Sequence, residues 1–200
     1  MWVIEKALEQ SAAWERNGIH LRISVNLSVR SLQDRKLPGQ VQKLVDQYHV
    51  DPKRVILEIT ESAIMSDPLS ARRVMRRLAN MGFHLSIDDF GTGYSSLAYL
   101  KQLPVEEIKI DKSFVTRMDE DENDAVIVRA TIDLAHNLGL KVVAEGVENT
   151  DVWDLLEMLG CDVIQGFYIR KPLAAVDLAE WIESNMWKQE HWVTPMQAVH

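Results

Sequence analysis

The spacing of apolar residues switches along the chain between a helical period and a strand period, and the switches divide it into alternating elements. Trp2 to Asn17 places Val3, Ile4, Ala7, Leu8, Ala12 and Trp14 on one helical face, and Gly18 follows as a stop. Leu21 to Leu27 is a short β-type run containing Asn26, and a helical pattern covers Leu37 to Tyr48. Val55 to Ile59 reads as a second strand that carries Glu58, with Glu61 just beyond it. A helix over Leu69 to Met81, opened by Asp67-Pro68 and closed by Gly82, precedes a strand at Phe83 to Ile87. A short helix is predicted over Tyr94 to Lys101, then a strand at Glu107 to Ile110 that holds Lys109 and leads into Asp111. The helix Ala125 to Leu138 is followed by a strand at Lys141 to Ala144, which runs into Glu145, Gly146 and Glu148. The last repeat is a helix at Val152 to Leu159, a strand around Val163 to Ile169 with Gln165 in it, and a helix at Ala174 to Ser184. Residues 1–185 read as one domain, and residues 186–200, with Trp187 and Trp192 but no clear period, as a tail.

Strands that alternate with helices imply a mostly parallel sheet, because parallel neighbours need a crossover and a helix is the usual one. The strand ends decide between an open sheet and a rolled one. Each predicted strand closes in a polar residue: Asn26, Glu58, Asp88, Lys109, Glu145 and Gln165. In a (β/α) barrel of the TIM type such ends meet around one mouth, where the βα loops build a site. The expected fold is therefore α/β, a partial TIM-like barrel.

Composition narrows what that mouth can do. At 200 residues, 46% hydrophobic and 26% charged, the chain has the balance of a soluble globular domain. Its formal net charge of −8 argues against binding a nucleic acid polymer through a basic surface, and an anionic ligand would need metal ions. The one cysteine, Cys161, excludes an internal disulfide and reads as a buried, inert thiol. No apolar run reaches the length of a membrane span, so the expected location is the cytoplasm. The acidic run Asp119 to Asp124 lacks the spacing of a calcium loop and reads as a helix start that complements the dipole.

The chemistry concentrates in LSIDDFGTGYSS, Leu85 to Ser96. Asp88 and Asp89 would repel each other if both were charged and unpaired, which calls for a cation, a basic neighbour or wide solvation. Gly91 and Gly93 let the backbone approach a ligand. Taken alone, DDFGTG fits equally well a solvated turn that caps a helix beginning near Ser95; the other strand ends favour a site. Asn26, Glu58, Asp88 and Glu145, with Asp89 and Glu148 beside them, offer hard oxygen ligands that suit Mg²⁺ or Mn²⁺, and the scattered histidines offer no softer cluster. On the residues alone, Lys109 is as readily a plain ion-pair partner of a carboxylate as a catalytic group.

Six segments carry a resemblance: SVNLS (Ser24 to Ser28), LEITES (Leu57 to Ser62), SIDDFGTGYSSL (Ser86 to Leu97), IKIDKSFV (Ile108 to Val115), VVAEGVE (Val142 to Glu148) and QGFYIRKPL (Gln165 to Leu173). In this order and spacing the chain resembles the EAL family of phosphodiesterases, which hydrolyse cyclic di-GMP to linear pGpG. The resemblance implies that Asn26, Glu58, Asp88, Asp89 and Glu145 hold metal, with Asp88 bridging two ions. It implies that Lys109 holds or helps activate the attacking water, that Glu148 and Gln165 complete the metal and water shell, and that Glu61 anchors the DFGTG loop. It also implies a homodimer formed through an outer helix near that loop. The Glu-Ala-Leu tripeptide that names the family does not occur in the sequence. A full barrel takes about 250 residues, so roughly 50 to 70 are expected upstream, as a segment or with a regulatory domain. The helix that begins at Met1 without a capping residue agrees with this expectation. Two alternatives to the enzyme remain: a module that binds cyclic di-GMP without cutting it, and an interaction fragment. Whatever the function, the first and last strands are expected to present open edges, so that the chain alone closes its gap with a second copy or is poorly soluble.

Overall fold

The structure is a computed structural model that describes residues 1–93 and 97–184. Among these residues six strands form one parallel sheet in sequential order: β1 (Ile23–Asn26), β2 (Val55–Thr60), β3 (His84–Phe90), β4 (Glu107–Ile110), β5 (Lys141–Glu145) and β6 (Val163–Gln165). Each strand pairs with the next across a helical crossover, and the sheet curls into part of a (β/α) barrel as the strand-end pattern predicts. The longer helices are α1 (Trp2–Arg16) before β1, then, after a five-residue α2 (Val29–Gln33), α3 (Leu37–Tyr48). A short α4 (Glu61–Ser66) leads into α5 (Pro68–Asn80), and a single turn, α6 (Leu97–Leu100), precedes β4. Another turn, α7 (Lys112–Val115), leads to α8 (Glu122–Asn137), and α9 (Thr150–Met158) and α10 (Ala175–Ser184) flank β6.

Alternation along the strands separates two environments. Leu57 and Ile59, Leu85 and Ile87, Ile108 and Ile110, and Val142 and Ala144 lie in the core that the helices cover. Helix α5 packs on β3, and α8 on β4 and β5, through Val74 and Leu78 and through Val128 and Ile132. Each such aliphatic contributes on the order of 1.5–3 kcal/mol by leaving water. The alternate positions Glu58, Ser86, Asp88 and Lys109 are polar, yet also buried. They point to the opposite, concave face.

Several boundaries differ from the periodicity. Strand β3 runs two residues beyond Asp88, because its ladder to β2 continues through Thr60 and Asp88 and its ladder to β4 resumes at Phe90 and Ile110 after a register shift. Strand β6 ends at Gln165 rather than Ile169, since the amides of Ile169 and Arg170 turn back to the carbonyl of Gly166. Strand β1 is trimmed at both ends; Ser28 caps α2 by accepting from the Ser31 amide. The helices α2, α4 and α7 are too short to show a period and are marked instead by caps, from Ser28, Thr60 and Asp111. Asp121 caps α8 and Glu122 and Asp124 fill its first turn, so the acidic run starts a helix. Residues 94–96 of the expected short helix and the tail from 186 lie outside the described residues.

No described helix is long and apolar enough to cross a membrane. Cys161 is partly buried beside β5, with Sγ 3.3 Å from the Val163 carbonyl and 3.6 Å from that of Val142. Burial pushes its thiol up to about 11. Because the thiolate is the reactive form, the native chain at pH 8 should react with iodoacetamide roughly a hundredfold more slowly than the urea-unfolded chain. Equal rates in the two states, followed by mass spectrometry, would contradict this placement.

Candidate functional site

Four adjacent strands each send one ionic side chain to the same point on the concave face. Lys109, on β4 and 4% exposed, places Nζ 2.6 Å from Glu145 Oε1 on β5, 2.9 Å from Glu58 Oε1 on β2 and 3.6 Å from Asp88 Oδ1 on β3. Burial disfavours the Lys109 charge, but hydrogen bonds to Glu145 and Glu58 and their Coulombic attraction outweigh it and hold the ammonium above its ordinary pKa. Burial raises the Glu145 carboxyl, and the hydrogen bond to Lys109 opposes that rise. Three carboxylates against one ammonium leave the cluster with formal negative charge to spare.

Asp88 and Asp89 would point to opposite faces of a regular strand. The register shift falls between Ile87 and Phe90, and Asp89 takes a left-handed backbone with φ 54°, so the strand bulges and re-aims its side chains. The Asp89 amide donates to Asp88 Oδ1 at 3.1 Å. Burial raises the Asp89 carboxyl, as do the charges of Asp88 and Asp111, while Lys109 opposes them. The following loop lies against Glu61, the first residue of α4 and 3% exposed, whose Oε2 accepts from the Gly91 amide at 3.3 Å. A Cβ on Gly93 would stand 2.8 Å from Glu61 Oε1, an atom without a hydrogen-bond partner among the described residues.

Asn26 is exposed at the end of β1, in register with Glu58, and Gln165 is exposed at the end of β6, in register with Glu145. Glu148 is exposed on the loop after β5 and, with Glu145, Gln165 and Lys112, lines an open cavity of about 230 Å³. Two backbone hydrogen bonds knit this end together: the Val147 amide donates to Gln165 at 3.2 Å and the Tyr168 amide to Val147 at 3.0 Å. The sequence reading singled out neither Lys112 nor the Val147 and Gly166 contact. Lys112 lies within the IKIDKSFV segment, but only the turn of α7 brings it to the cavity.

Among the described residues, no three Asp, Glu, His or Cys side chains are grouped as a metal cage. The donor set nevertheless suits a hard divalent ion, because an ammonium cation already stands within hydrogen-bond or ion-pair distance of three carboxylates.

The family model of the EAL domain matches residues 1–172. The chain belongs to the EAL domain family. MucR of Pseudomonas aeruginosa, a bifunctional diguanylate cyclase and cyclic di-GMP phosphodiesterase, is 41% identical over 178 residues, which are 88% of this chain and 26% of MucR. The oxygen sensor protein DosP of Escherichia coli is 40% identical over 184 residues, covering 92% of this chain and 23% of DosP. The chain thus spans about a quarter of the length of these curated relatives. Among solved structures, a MucR phosphodiesterase in complex with c-di-GMP superposes with a TM-score of 0.85 at 41% identity, over 88% of this chain and 72% of that one. The EAL domain of DcpA from Mycobacterium smegmatis superposes at 0.88 with 36% identity, over 92% of this chain and 83% of its own.

In this EAL domain Gly166 has no room for a side chain: an added Cβ would lie 2.0 Å from the Val147 carbonyl oxygen and 2.4 Å from its nitrogen. Since both are backbone atoms, Gly166→Ala must separate the two loops. Urea unfolding should show a loss of about 3 kcal/mol. A variant within about 0.5 kcal/mol of the parent would mean that the loops are not held together as described.

Proposed function

We propose that this EAL domain hydrolyses cyclic di-GMP to linear pGpG with Mg²⁺ or Mn²⁺, two ions being held by Asn26, Glu58, Asp88, Asp89 and Glu145. The observation that carries the proposal is the convergence of Glu58, Asp88 and Glu145 on one cation position at the strand ends. Membership of the EAL family and the phosphodiesterase named in MucR support the choice of substrate. When bound, the ions would supply Lewis acidity to the phosphodiester and lower the pKa of a water.

The chain's own groups then have separate tasks. Lys109 donates a hydrogen bond that holds the water in line with the P–O bond to be cut, and Gln165 and Glu148 orient that water from the β5 and β6 side. Glu61, through the Gly91 amide, fixes the loop that follows Asp89. Water oxygen bonds to phosphorus, the sugar 3′ oxygen leaves, and the water proton passes to solvent while the leaving oxygen takes one up. The oxygen sensor protein DosP, of which the chain matches only 23%, supports an upstream regulatory domain, and the resemblance to the EAL family supports a homodimer, as parts of the same proposal.

The test is an assay of the purified chain with cyclic di-GMP and Mn²⁺, with and without chelator, read by chromatography. Linear product that disappears with chelator is expected. Retained, uncut cyclic di-GMP would favour the binding module instead, and the absence of both product and retained ligand would favour the interaction fragment. Glu58→Ala, Asp88→Ala and Glu145→Ala should each lower turnover by roughly a hundredfold or more. Their thermal midpoints in chelator should be unchanged or higher, because two carboxylates still pair Lys109 and repulsion falls. Undiminished cleavage by Asp88→Ala would put the chemistry elsewhere.

A further inference from the structure

We propose that Lys109 is the resident counter-ion of the unloaded site and a direct competitor of the divalent cation, so that its ammonium must leave the carboxylate cluster for an ion to enter. This rests on the phosphodiesterase reading and adds to it a control on metal loading. Glu58 Oε1 and Glu145 Oε1 lie 2.9 and 2.6 Å from Lys109 Nζ, with Asp88 Oδ1 at 3.6 Å. A divalent ion held by these carboxylates would stand beside the ammonium, and two cations crowded into one buried cluster repel each other. Lys109 is 4% and Glu58 6% exposed, so their ion pair is not screened by water as a surface pair would be.

Charge sets the outcome of the competition. One ammonium neutralises one of three carboxylates, whereas a divalent ion neutralises two; the ion wins when it is present, and Lys109 holds the cluster together when it is not. The displaced ammonium stays tethered to β4 and becomes free to face a water. Availability of Lys109 for the reaction is then coupled to occupancy by metal. If Lys109 instead only helped to position the ligands, removing it would loosen them and weaken metal binding. The two roles predict opposite signs.

The test compares the full chain with Lys109→Met, without substrate. Mn²⁺ binding is read from the free-ion signal in electron paramagnetic resonance, and thermal midpoints are taken in chelator and in Mn²⁺. Lys109→Met should lower the midpoint in chelator, gain more from Mn²⁺ than the parent does, and bind Mn²⁺ about tenfold more tightly. Equal or weaker Mn²⁺ binding by the variant, while the parent binds, overturns the competition and leaves the phosphodiesterase reading standing. Absence of Mn²⁺ binding in both chains sinks both. If Lys109→Met does not fold in chelator, the parent still decides: the ¹⁵Nζ signal of Lys109, protected by its hydrogen bonds to Glu58 and Glu145, should shift or broaden on saturation with Mg²⁺. An unchanged signal at saturation overturns the proposal.

Discussion

An ammonium buried among carboxylates from neighbouring strands constrains the whole sheet. Lys109 reaches Glu58 on β2, Asp88 on β3 and Glu145 on β5, so the registers of these strands and β4 must agree for the cluster to form. A slip of β4 by one residue would turn Lys109 toward the helices and bring Ile108 or Ile110 into the acidic face. An unpaired ammonium in an apolar layer costs several kcal/mol, and the stranded carboxylates would add to that cost. Polar and apolar alternation therefore act together: the aliphatic face chooses the side of the sheet, and the ion pairs choose the register.

The same cluster explains why β3 departs from regularity. Two consecutive aspartates on a plain strand cannot serve one face, and the bulge with Asp89 at φ 54° is what lets them approach common neighbours. A left-handed backbone is less costly for Asp than for most residues, because its short side chain can bond locally. The bulge also aims the outgoing chain at α4. There Glu61 receives the Gly91 amide, and the absence of a side chain at Gly93 lets the loop lie within contact of the Glu61 carboxylate. That buried carboxylate keeps one oxygen unpaired among the described residues, with capacity for a further donor.

Much of this was legible from residue order. The strand ends Asn26, Glu58, Asp88, Lys109, Glu145 and Gln165 mark the concave face because a polar residue closing an apolar run stands out at a period of two. What the pattern could not convey was local geometry. It ended β3 at Ile87, since nothing in the run Asp88 to Phe90 looks like strand until the ladders to β2 and β4 supply partners. It ran β6 on to Ile169 through Phe167 and Tyr168, both apolar and both exposed, because a turn closed by Gly166 leaves no periodic trace. The residues alone left Lys109 divided between an ion pair and a catalytic group, and the family resemblance assigned it the catalytic task. The structure pairs it with Glu58, Asp88 and Glu145, and the catalytic task belongs to the proposed function.

Charge links the fold to that proposal. The chain carries a formal net charge of −8, and its concave face concentrates carboxylates that one lysine only partly balances. A cyclic dinucleotide brings phosphates, and against such a face it meets repulsion rather than attraction. Divalent ions reverse the local sign, so on the proposed reading the same loading that supplies Lewis acidity also makes substrate binding favourable. The energetic burden of holding so many carboxylates together then falls on the unloaded protein, where Lys109 is the group that relieves it. Four strands with mutually dependent registers are what keep those carboxylates from separating.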